Sequence, residues 1–312
     1  MRVLVAGSTG ALGVPTVRAL LEAGHEAFGL TRTESKGEQL RSIGAAPVIG
    51  DVFDTAGIRK IFDETRPEGV IQLLNALPKR GPFRPRELDG TNRLRIEGTK
   101  NLLAAARETG VKRFVAESMI FGYGYGHQGT DLITEDRPFA EPTDFALAQP
   151  ALDALRSLED QVLANESAVE GVILRYGFFY GPGVGSTDFM ISLMKRHLFI
   201  LPGGGEATGS WIHIDDGASA AVAALDRAPA GAVYNVVDDE PASIRDYSLQ
   251  MSKTLGLPKP KRVPMWVAKL GGAYLALMAR SHLPVSNEKI KAELSWKPRY
   301  STFREGIETL LA

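Results

Sequence analysis

Short apolar runs alternate with amphipathic stretches along the first 178 residues. This pattern predicts strands at 3–6, 27–30, 47–49, 70–74, 113–116 and 171–175, and helices at 14–23, 38–43, 58–64, 92–109 and 152–165. Strands and helices that alternate in this way pack as a parallel sheet covered by helices on both faces. Because crossovers between parallel strands are right-handed, we predict an α/β fold built on a doubly wound parallel sheet.

The alternation ends near residue 180. Glycine and proline interrupt the chain at 181–183 and 202–205, and a small-residue helix is predicted at 218–224. A strand at 233–237 is expected to rejoin the sheet. The pattern therefore predicts two units, a doubly wound domain of residues 1–178 plus 213–237 and a smaller C-terminal cap of residues 179–212 plus 238–312.

Composition and charge narrow the class of protein. Of the 312 residues, 44% are hydrophobic and 23% are charged, values typical of a globular protein with a sizeable core. The formal net charge is -1, and the absence of a long basic run argues against a nucleic-acid partner. The chain has no cysteine, which excludes disulfides, thiolate metal sites and cysteine nucleophiles and fits a reducing compartment.

The sequence gives no indication of a membrane or a metal. No targeting segment follows Met1, and the most apolar stretch, 264–278, is short and contains Lys269, so we expect a cytoplasmic protein. In that location the sequon Asn165-Glu166-Ser167 is inert. No P-loop, zincin or nucleophile-elbow motif occurs, and the five histidines are far apart, so we predict no metal site. His213 lies in an apolar run and is predicted to be a core histidine.

A glycine-rich turn, Gly7-Ser8-Thr9-Gly10-Ala11-Leu12-Gly13, joins the first strand to the first helix. Gly7 permits a sharp turn, Gly10 lets a pyrophosphate approach the backbone, and Gly13 allows the helix to pack closely on the strand. Free N–H groups at the helix N-terminus then hold the phosphate charge. We therefore predict a dinucleotide site formed by Gly7, Thr9, Gly10, Ala11, Leu12 and Gly13. The alternative is an ordinary glycine-rich turn.

With this GxxGxxG spacing the chain resembles the extended short-chain dehydrogenases/reductases, the superfamily that includes NAD-dependent epimerases and dehydratases. Matching segments follow in order along nearly the whole chain, at 50–52, 70–75, 113–118, 174–183, 211–216 and 296–300. The resemblance implies a Rossmann domain that binds a nicotinamide dinucleotide and a cap that binds substrate. By position it implies Asp51 and Val52 beside the adenine, Leu73, Leu74 and Asn75 along the nicotinamide ribose, and Tyr176, Gly177, Phe178 and Phe179 around the nicotinamide.

The end of the second strand bears on the choice between NAD and NADP. An acid there usually binds the ribose 2′-hydroxyl of NAD, whereas this chain has Thr31 and Arg32. Arginine can form a charge-assisted fork on a 2′-phosphate, and Lys36 adds positive charge. We therefore predict NADP in preference to NAD. The alternative is a solvated Arg32, with Glu34 reaching the ribose.

The catalytic pair that the resemblance implies is missing. The superfamily uses a tyrosine and a lysine four residues later, because the lysine lowers the pKa of the tyrosine. No tyrosine in this chain has a lysine at that spacing, and aligning Glu159 with the acid that often follows the lysine places Ala151 and Leu155 at the two positions. The hydride belongs to the cofactor, so the open question is the source of the proton.

Three residues are the catalytic candidates: Ser118, near the expected hydroxyl position, Glu117, which can equally occupy it, and Tyr123, on the glycine-rich loop that also carries Tyr125 and His127. Each has a structural alternative. Ser118 can bond to backbone only, Glu117 can be a solvated or capping acid, and the loop tyrosines can be surface aromatics. His127 is more typical of a bystander than of an acid.

The prediction of the substrate rests on a second difference between this chain and the superfamily pattern. Nucleotide-sugar enzymes of the superfamily usually carry an asparagine where this chain has Phe178, and the aromatic neighbours Tyr176, Phe179 and Tyr180 indicate an apolar small molecule. Phe178 and Phe179 can equally be core residues. We predict an atypical reductase that moves hydride from NADPH to a carbonyl, imine or activated alkene.

Two other functions and one assembly stay open. One alternative function is a nucleotide-sugar epimerase or dehydratase, and the other is a dinucleotide-binding sensor or scaffold without turnover. The resemblance also implies a homodimer formed through the helices at 92–109 and 152–165. Burial of the same apolar stripes within one chain explains them equally well.

Overall fold

The computed structural model describes residues 1–141, 146–164 and 169–311. The strands are β1 (Arg2–Ala6), β2 (Glu26–Thr31), β3 (Ala46–Ile49), β4 (Gly69–Gln72), β5 (Arg113–Met119), β6 (Glu170–Tyr176), β7 (Phe178–Tyr180), β8 (Ile200–Pro202), β9 (Thr208–Gly209), β10 (Trp211–His213), β11 (Val233–Val236), β12 (Ala242–Ser243) and β13 (Lys261–Val263). The helices are α1 (Gly13–Glu22), α2 (Glu34–Ser42), α3 (Thr55–Thr65), α4 (Asp89–Arg93), α5 (Thr99–Thr109), α6 (Gln149–Leu163), α7 (Gly185–Lys195), α8 (Ile214–Arg227), α9 (Ile244–Thr254), α10 (Trp266–Leu270), α11 (Ala273–Met278), α12 (Glu288–Leu294) and α13 (Phe303–Ile307).

Seven strands form one parallel sheet in the order β11-β6-β5-β4-β1-β2-β3. The chain runs outward from β1 to β3 and then returns to β4 on the other side of β1. The strand order therefore reverses between β1 and β4, and in such sheets ligands bind at the carboxyl ends of the strands at this point. The predicted α/β fold with a doubly wound parallel sheet is confirmed.

Helices cover both faces of this sheet because side chains alternate along each strand. Val3 and Val5 of β1 pack in one apolar layer with α1 and α8, whereas Leu4 and Ala6 pack in the opposite layer with α3, α5 and α6. Leu102 and Ala106 of α5 and Leu158 and Val162 of α6 are buried in that second layer, and Ala151 and Leu152 of α6 are buried in a separate cluster with Tyr125. The stripes of the two helices are thus accounted for by packing within one chain.

Outside the main sheet, the second half of the chain forms three two-stranded pairings, β7 with β10, β9 with β12, and β8 with β13. An aromatic cluster that includes Tyr180, Trp211, Tyr247 and Phe303 is the core of this part. The apolar stretch 264–278 forms two short helices, α10 and α11. None of the helices in the described ranges is both long and apolar enough to cross a bilayer.

Three boundaries near the switch point differ from the prediction. β5 continues to Met119, because its backbone pairs with β6 as far as Tyr176, so Glu117 and Ser118 lie on the strand itself. β4 ends at Gln72, which leaves 73–75 in the following loop. The helix predicted at 92–109 begins at Asp89, and its residues Leu94–Gly98 are π-helical. The predicted helix end at Asn165 and the sequon fall outside the described residues.

Several helices begin about one turn earlier than the apolar pattern predicts, among them α2 at Glu34 and α8 at Ile214. First turns are often polar because their N–H groups face solvent or a capping group. The hydrophobic periodicity is therefore weak where a helix starts. These shifts do not change the topology.

Candidate functional site

The turn after β1 is shaped by its glycines. Gly7 has a φ of 90°, and a Cβ at this residue would collide with the carbonyl of Leu73. A Cβ at Gly13 would collide with the carbonyl of Gly7. Gly10 is exposed, as is Ala11, and a Cβ there would meet only the Gly7 carbonyl oxygen, at 3.2 Å. Packing therefore requires Gly7 and Gly13, whereas Gly10 presents bare backbone to the outside.

Helix α1 begins in this turn without a side-chain cap and without an acidic residue in its first turn. Leu12 is buried beneath the turn and Thr9 is half-buried. Free N–H groups and the helix dipole both attract negative charge at such an N-terminus. Since this N-terminus lies at the switch point between β1 and β4, the residues present fit the pyrophosphate of a dinucleotide.

Positive charge follows the end of β2. Arg32 and Lys36 are exposed, and neither forms an ion pair with any residue in the described ranges. The carboxylate of Glu34, by contrast, accepts a hydrogen bond of 2.7 Å from Arg41. The hydroxyl oxygen of Thr31 is buried and has no partner among the described residues. Within the described ranges Arg32 therefore has no ion-pair partner, whereas Glu34 is paired with Arg41.

Asp51, the acid that follows β3, is hydrogen-bonded to the backbone of its own loop. Asp51 is exposed, and its carboxylate accepts a hydrogen bond of 2.9 Å from the N–H of Phe53. Val52 is buried in the layer formed by α3 and α5. The side chain that faces outward at this point is thus an acid held by the backbone, and the one that faces inward is apolar.

The residues predicted around the nicotinamide and its ribose lie in the loop after β4, at the end of β6 and on β7. Leu73 is buried, Leu74 is half-buried, and Asn75 is exposed. The Tyr176 hydroxyl donates a hydrogen bond of 3.0 Å to the carbonyl of Gly217, and the Phe179 ring lies 5.0 Å from the Tyr176 ring. Phe178 packs between Phe121 and Trp211, with ring centroids 5.5 and 5.4 Å away, and a Cβ at Gly177 would collide with the carbonyl of Ser210.

Glu117 is the acid at the carboxyl end of β5. Asn75 donates a hydrogen bond to its carboxyl group, and its Oε2 atom is enclosed with no partner among the described residues. Burial raises the pKa of Glu117 to about 7, against the smaller lowering effects of Arg95 and Asn75. This carboxyl group can therefore give or take a proton near neutral pH, as general acid–base catalysis requires.

Two tyrosines and an arginine complete the surroundings of Glu117. Tyr125 and Tyr274 are buried and their hydroxyls are hydrogen-bonded to each other. Burial raises the pKa of both phenols, while the nearby Arg95 guanidinium lowers it by a smaller amount. Glu117, Arg95, Tyr125 and Tyr274 thus form one group of polar side chains, which we call the Glu117 cluster.

The other two catalytic candidates lie in a different buried network. Ser118 donates a hydrogen bond of 2.6 Å to Glu159, and Arg175 donates two to the same carboxylate, at 3.0 and 2.6 Å. The Arg175 guanidinium lies 4.7 Å from the Tyr123 ring, and the Tyr123 hydroxyl donates to Asn235 at 2.7 Å. We call these residues the Arg175 network. Its hydrogen bonds occupy both Ser118 and Tyr123.

The remaining histidine candidates have structural partners. The ring of His127 stacks on that of His282 at 4.8 Å, outside the Glu117 cluster. His213 is fully buried, accepts a hydrogen bond of 3.2 Å from the N–H of Asp215 and lies 3.0 Å from the Thr309 hydroxyl. His213 is therefore a core histidine, as predicted. Within the described residues no group of acids and histidines has the spacing to hold a metal ion.

The two positions aligned with the missing tyrosine and lysine are apolar. Ala151 and Leu155 are 4% and 1% exposed on α6. Ala151 packs in an aromatic and aliphatic cluster with Tyr125 and Tyr274. The phenols next to Glu117 therefore come from the loop after β5 and from α11, and no lysine accompanies them in the Glu117 cluster.

Sequence reasoning missed Arg95 and gave no separate role to Tyr274, which lies in the apolar stretch 264–278 of the predicted cap. A signal for Arg95 was present, since it lies on the same helical stripe as the buried Thr99, Leu102 and Ala106. A charged residue on such a stripe is expected to have a specific role. No comparable signal marked Tyr274, because an aromatic residue in an apolar helix is ordinary core material.

Comparison with known proteins places the chain in a family. A model described as "NAD dependent epimerase/dehydratase family" matches residues 3–237. The chain is 34% identical over 311 residues to a Streptomyces protein named 3-diazoavenalumate denitrifying reductase, and the match covers 98% of this chain and 99% of that protein.

Solved structures agree on the fold. UDP-glucose 4-epimerase from Thermotoga maritima superposes with a TM-score of 0.81 at 22% identity, covering 99% of this chain and 97% of that one. The human epimerase family protein SDR39U1, solved with NADPH, gives a TM-score of 0.80 at 20% identity and covers 99% and 98%. At these identities the likeness shows the fold alone.

Proposed function

The chain belongs to the NAD dependent epimerase/dehydratase family, and from this premise we propose that it is an NADP-dependent reductase whose proton donor is Glu117. Family membership and the reductase among its relatives make it an NAD(P)-dependent oxidoreductase of the extended short-chain type. The observation that carries the proposal is the enclosed Glu117 carboxyl group, with a pKa of about 7, beside Asn75 at the carboxyl end of β5.

The preference for NADP rests on the charges after β2. Arg32 and Lys36 are exposed and free of ion pairs within the described ranges, whereas Glu34 is held by Arg41. A guanidinium matches a 2′-phosphate with parallel charge-assisted hydrogen bonds, which an acid at this position would oppose. The turn from Gly7 to Gly13 would hold the pyrophosphate through its backbone N–H groups.

The reaction needs one proton besides the hydride that the nicotinamide supplies when it is bound. As a reactant carbon accepts the hydride, its C=O, C=N or C=C π bond breaks, and the partner atom takes the proton from the carboxyl group of Glu117. Asn75 orients this carboxyl group through its hydrogen bond. Glu117 is left as a carboxylate, which the charge of Arg95 stabilises until solvent returns a proton.

The substrate side is formed by aromatic residues. The Glu117 cluster contributes the buried rings of Tyr125 and Tyr274. Next to them, Phe121 stacks on Tyr125 and Phe178 packs against Phe121. Tyr274 comes from the predicted cap of residues 179–212 plus 238–312. Such walls favour a small molecule with an apolar body. Phe178 stands where a nucleotide-sugar enzyme would offer an asparagine, and this disfavours a nucleotide-sugar substrate.

The test is a turnover assay with Glu117→Gln, which keeps the size of the side chain and removes its acid. Consumption of NADPH and NADH would be followed with aldehydes, enones, imines and, because the Streptomyces relative is named for a diazo compound, an aryl diazo substrate. For any aldehyde, enone or imine that the wild type reduces, Glu117→Gln should lower kcat by about 10²–10⁴-fold while the Kd for NADPH is unchanged. Hydride displacement of N2 from an aryl diazonium group consumes no proton, so that substrate tests for turnover and not for the role of Glu117.

The pH dependence gives a second readout. A general acid must be protonated, so kcat/KM of the wild type should fall as the pH rises through about 7, and the variant should lose this inflection. Glu64→Gln, on the exposed part of α3, is the matched control and should behave as wild type. A Glu117→Gln enzyme with wild-type kcat would disprove the role of Glu117, and NADPH binding without any turnover would favour the sensor function.

A further inference from the structure

Arg95 is a buried cation that makes no hydrogen bond to any of the described residues. It lies in the π-helical turn Leu94–Gly98 between α4 and α5, and only 8% of its surface is exposed. Across the described residues, its guanidinium makes neither a hydrogen bond nor an ion pair, although it carries five N–H donors. π-Helical turns interrupt a helix at some cost and occur frequently at functional sites.

Arg95 has a negatively charged neighbour among the described residues only when Glu117 is ionised. Among the described residues, the charged or titratable groups that influence Arg95 are Glu117, Tyr125 and Tyr274, and the two phenols are hydrogen-bonded to each other. Glu117 is protonated in the form that donates a proton, and in that form it offers Arg95 no negative charge. A largely buried charge with no partner is costly, because little water is left to solvate it.

We propose that Arg95 is the recognition site for a carboxylate group of the substrate, so that the substrate is a small organic acid whose apolar body lies against Tyr125 and Tyr274. This inference rests on the proposed function, since it assigns the substrate class of the same site. The guanidinium fork matches a planar carboxylate through two parallel hydrogen bonds. The carboxylate then supplies the negative charge that the protein withholds.

A single negative charge fits better than a phosphate dianion. Arg95 is the one cation in the Glu117 cluster, and Glu117 itself becomes negative after it gives up its proton. A second negative charge on the ligand would therefore face a carboxylate without another cation to balance it. Leu88, Leu152 and Leu277 pack in one apolar cluster with the two tyrosines, and apolar surroundings of this kind suit the rest of a monocarboxylic acid.

Binding measurements on matched acids and esters test this inference without requiring turnover. Calorimetric titrations of the protein, with and without NADP, would compare cinnamate with methyl cinnamate and hexanoate with methyl hexanoate. The wild type should bind at least one acid about tenfold or more tightly than its ester. Arg95→Gln should weaken binding of that acid by about tenfold to hundredfold, as expected for hydrogen bonds to a charged group, and leave the ester nearly unchanged.

Two further variants separate recognition from folding. Arg95→Lys keeps the charge without the fork and should retain part of the preference for the acid. Arg107→Gln, on the exposed face of α5, should match the wild type. The inference is overturned if the wild type binds every acid no better than its ester, or if Arg95→Gln weakens the acid and the ester equally. If the wild type prefers acids to esters but turns over no tested substrate with NADPH, the proposed reductase is contradicted and the role of Arg95 stands.

Discussion

Replacing Glu159 with glutamine removes the charge that neutralises Arg175 in the buried network beside the site. Glu159 and Arg175 are 4% and 6% exposed and share two hydrogen bonds, of 3.0 and 2.6 Å. Breaking a buried pair from one side costs about 3–5 kcal/mol, because the remaining charge is left without a partner and without water. We therefore expect Glu159→Gln to destabilise the fold strongly.

The size of the thermal shift follows from the chain length. Unfolding entropy is about 2.1 cal/mol/K per residue, so 312 residues give about 0.66 kcal/mol/K, and the loss should lower the Tm by about 5–8 °C. Differential scanning calorimetry of the purified protein measures this shift. Glu38→Gln, which alters an exposed ion pair on α2, is the control and should leave the Tm nearly unchanged.

A double replacement tests the cause of the effect. Glu159→Leu combined with Arg175→Met removes both charges and keeps similar volumes, so it should regain much of the Tm that Glu159→Gln loses. A Glu159→Gln protein that melts within about 1 °C of the wild type would refute the reasoning, given the shift expected from unfolding entropy. A double variant that melts below the single one would show that packing and hydrogen bonds, and not the unpaired charge, dominate.

Ser118→Ala should keep kcat for NADPH oxidation within about threefold of the wild type, because Ser118 donates its hydrogen bond to Glu159. Loss of a general acid would instead lower kcat by about 10²–10⁴-fold, and a loss of that size in steady-state kinetics would return Ser118 to the catalytic candidates. Arg32→Gln should raise the Kd for NADPH by about tenfold to hundredfold without changing that for NADH, and equal effects in calorimetry on both cofactors would contradict a 2′-phosphate contact. Burial raises the pKa of Asp238 to about 9, so its carboxylate form is disfavoured in the folded state and stability should fall as the pH rises from about 4 towards 9. Urea unfolding of Asp238→Asn should lose that part of the pH dependence, and parallel curves for the two proteins would show that Asp238 does not titrate in this range.

Much of the fold was predictable because it depends on local patterns. Apolar strands that alternate with amphipathic helices specify a parallel sheet, and the three glycines after β1 mark the turn whose close contacts exclude larger side chains at Gly7 and Gly13. The extent of β5 was not predictable in the same way. Its apolar run stops at Ala116, and the strand continues because β6 pairs with it, which is a contact between distant segments.

The sequence by itself determined the order of strands and helices in the first 178 residues, the glycine-rich turn after β1 and the absence of the usual tyrosine and lysine, since these are properties of residues near one another in the chain. Only the tertiary structure decided which side chains contact each catalytic candidate. Glu117 and Ser118 are adjacent, but side chains alternate along β5, so Ser118 joins Glu159 while Glu117 meets Asn75 and the charge of Arg95. The pKa of Glu117 depends on how far its carboxyl group is removed from water and on which charges lie around it, and both are set by segments that are distant in sequence.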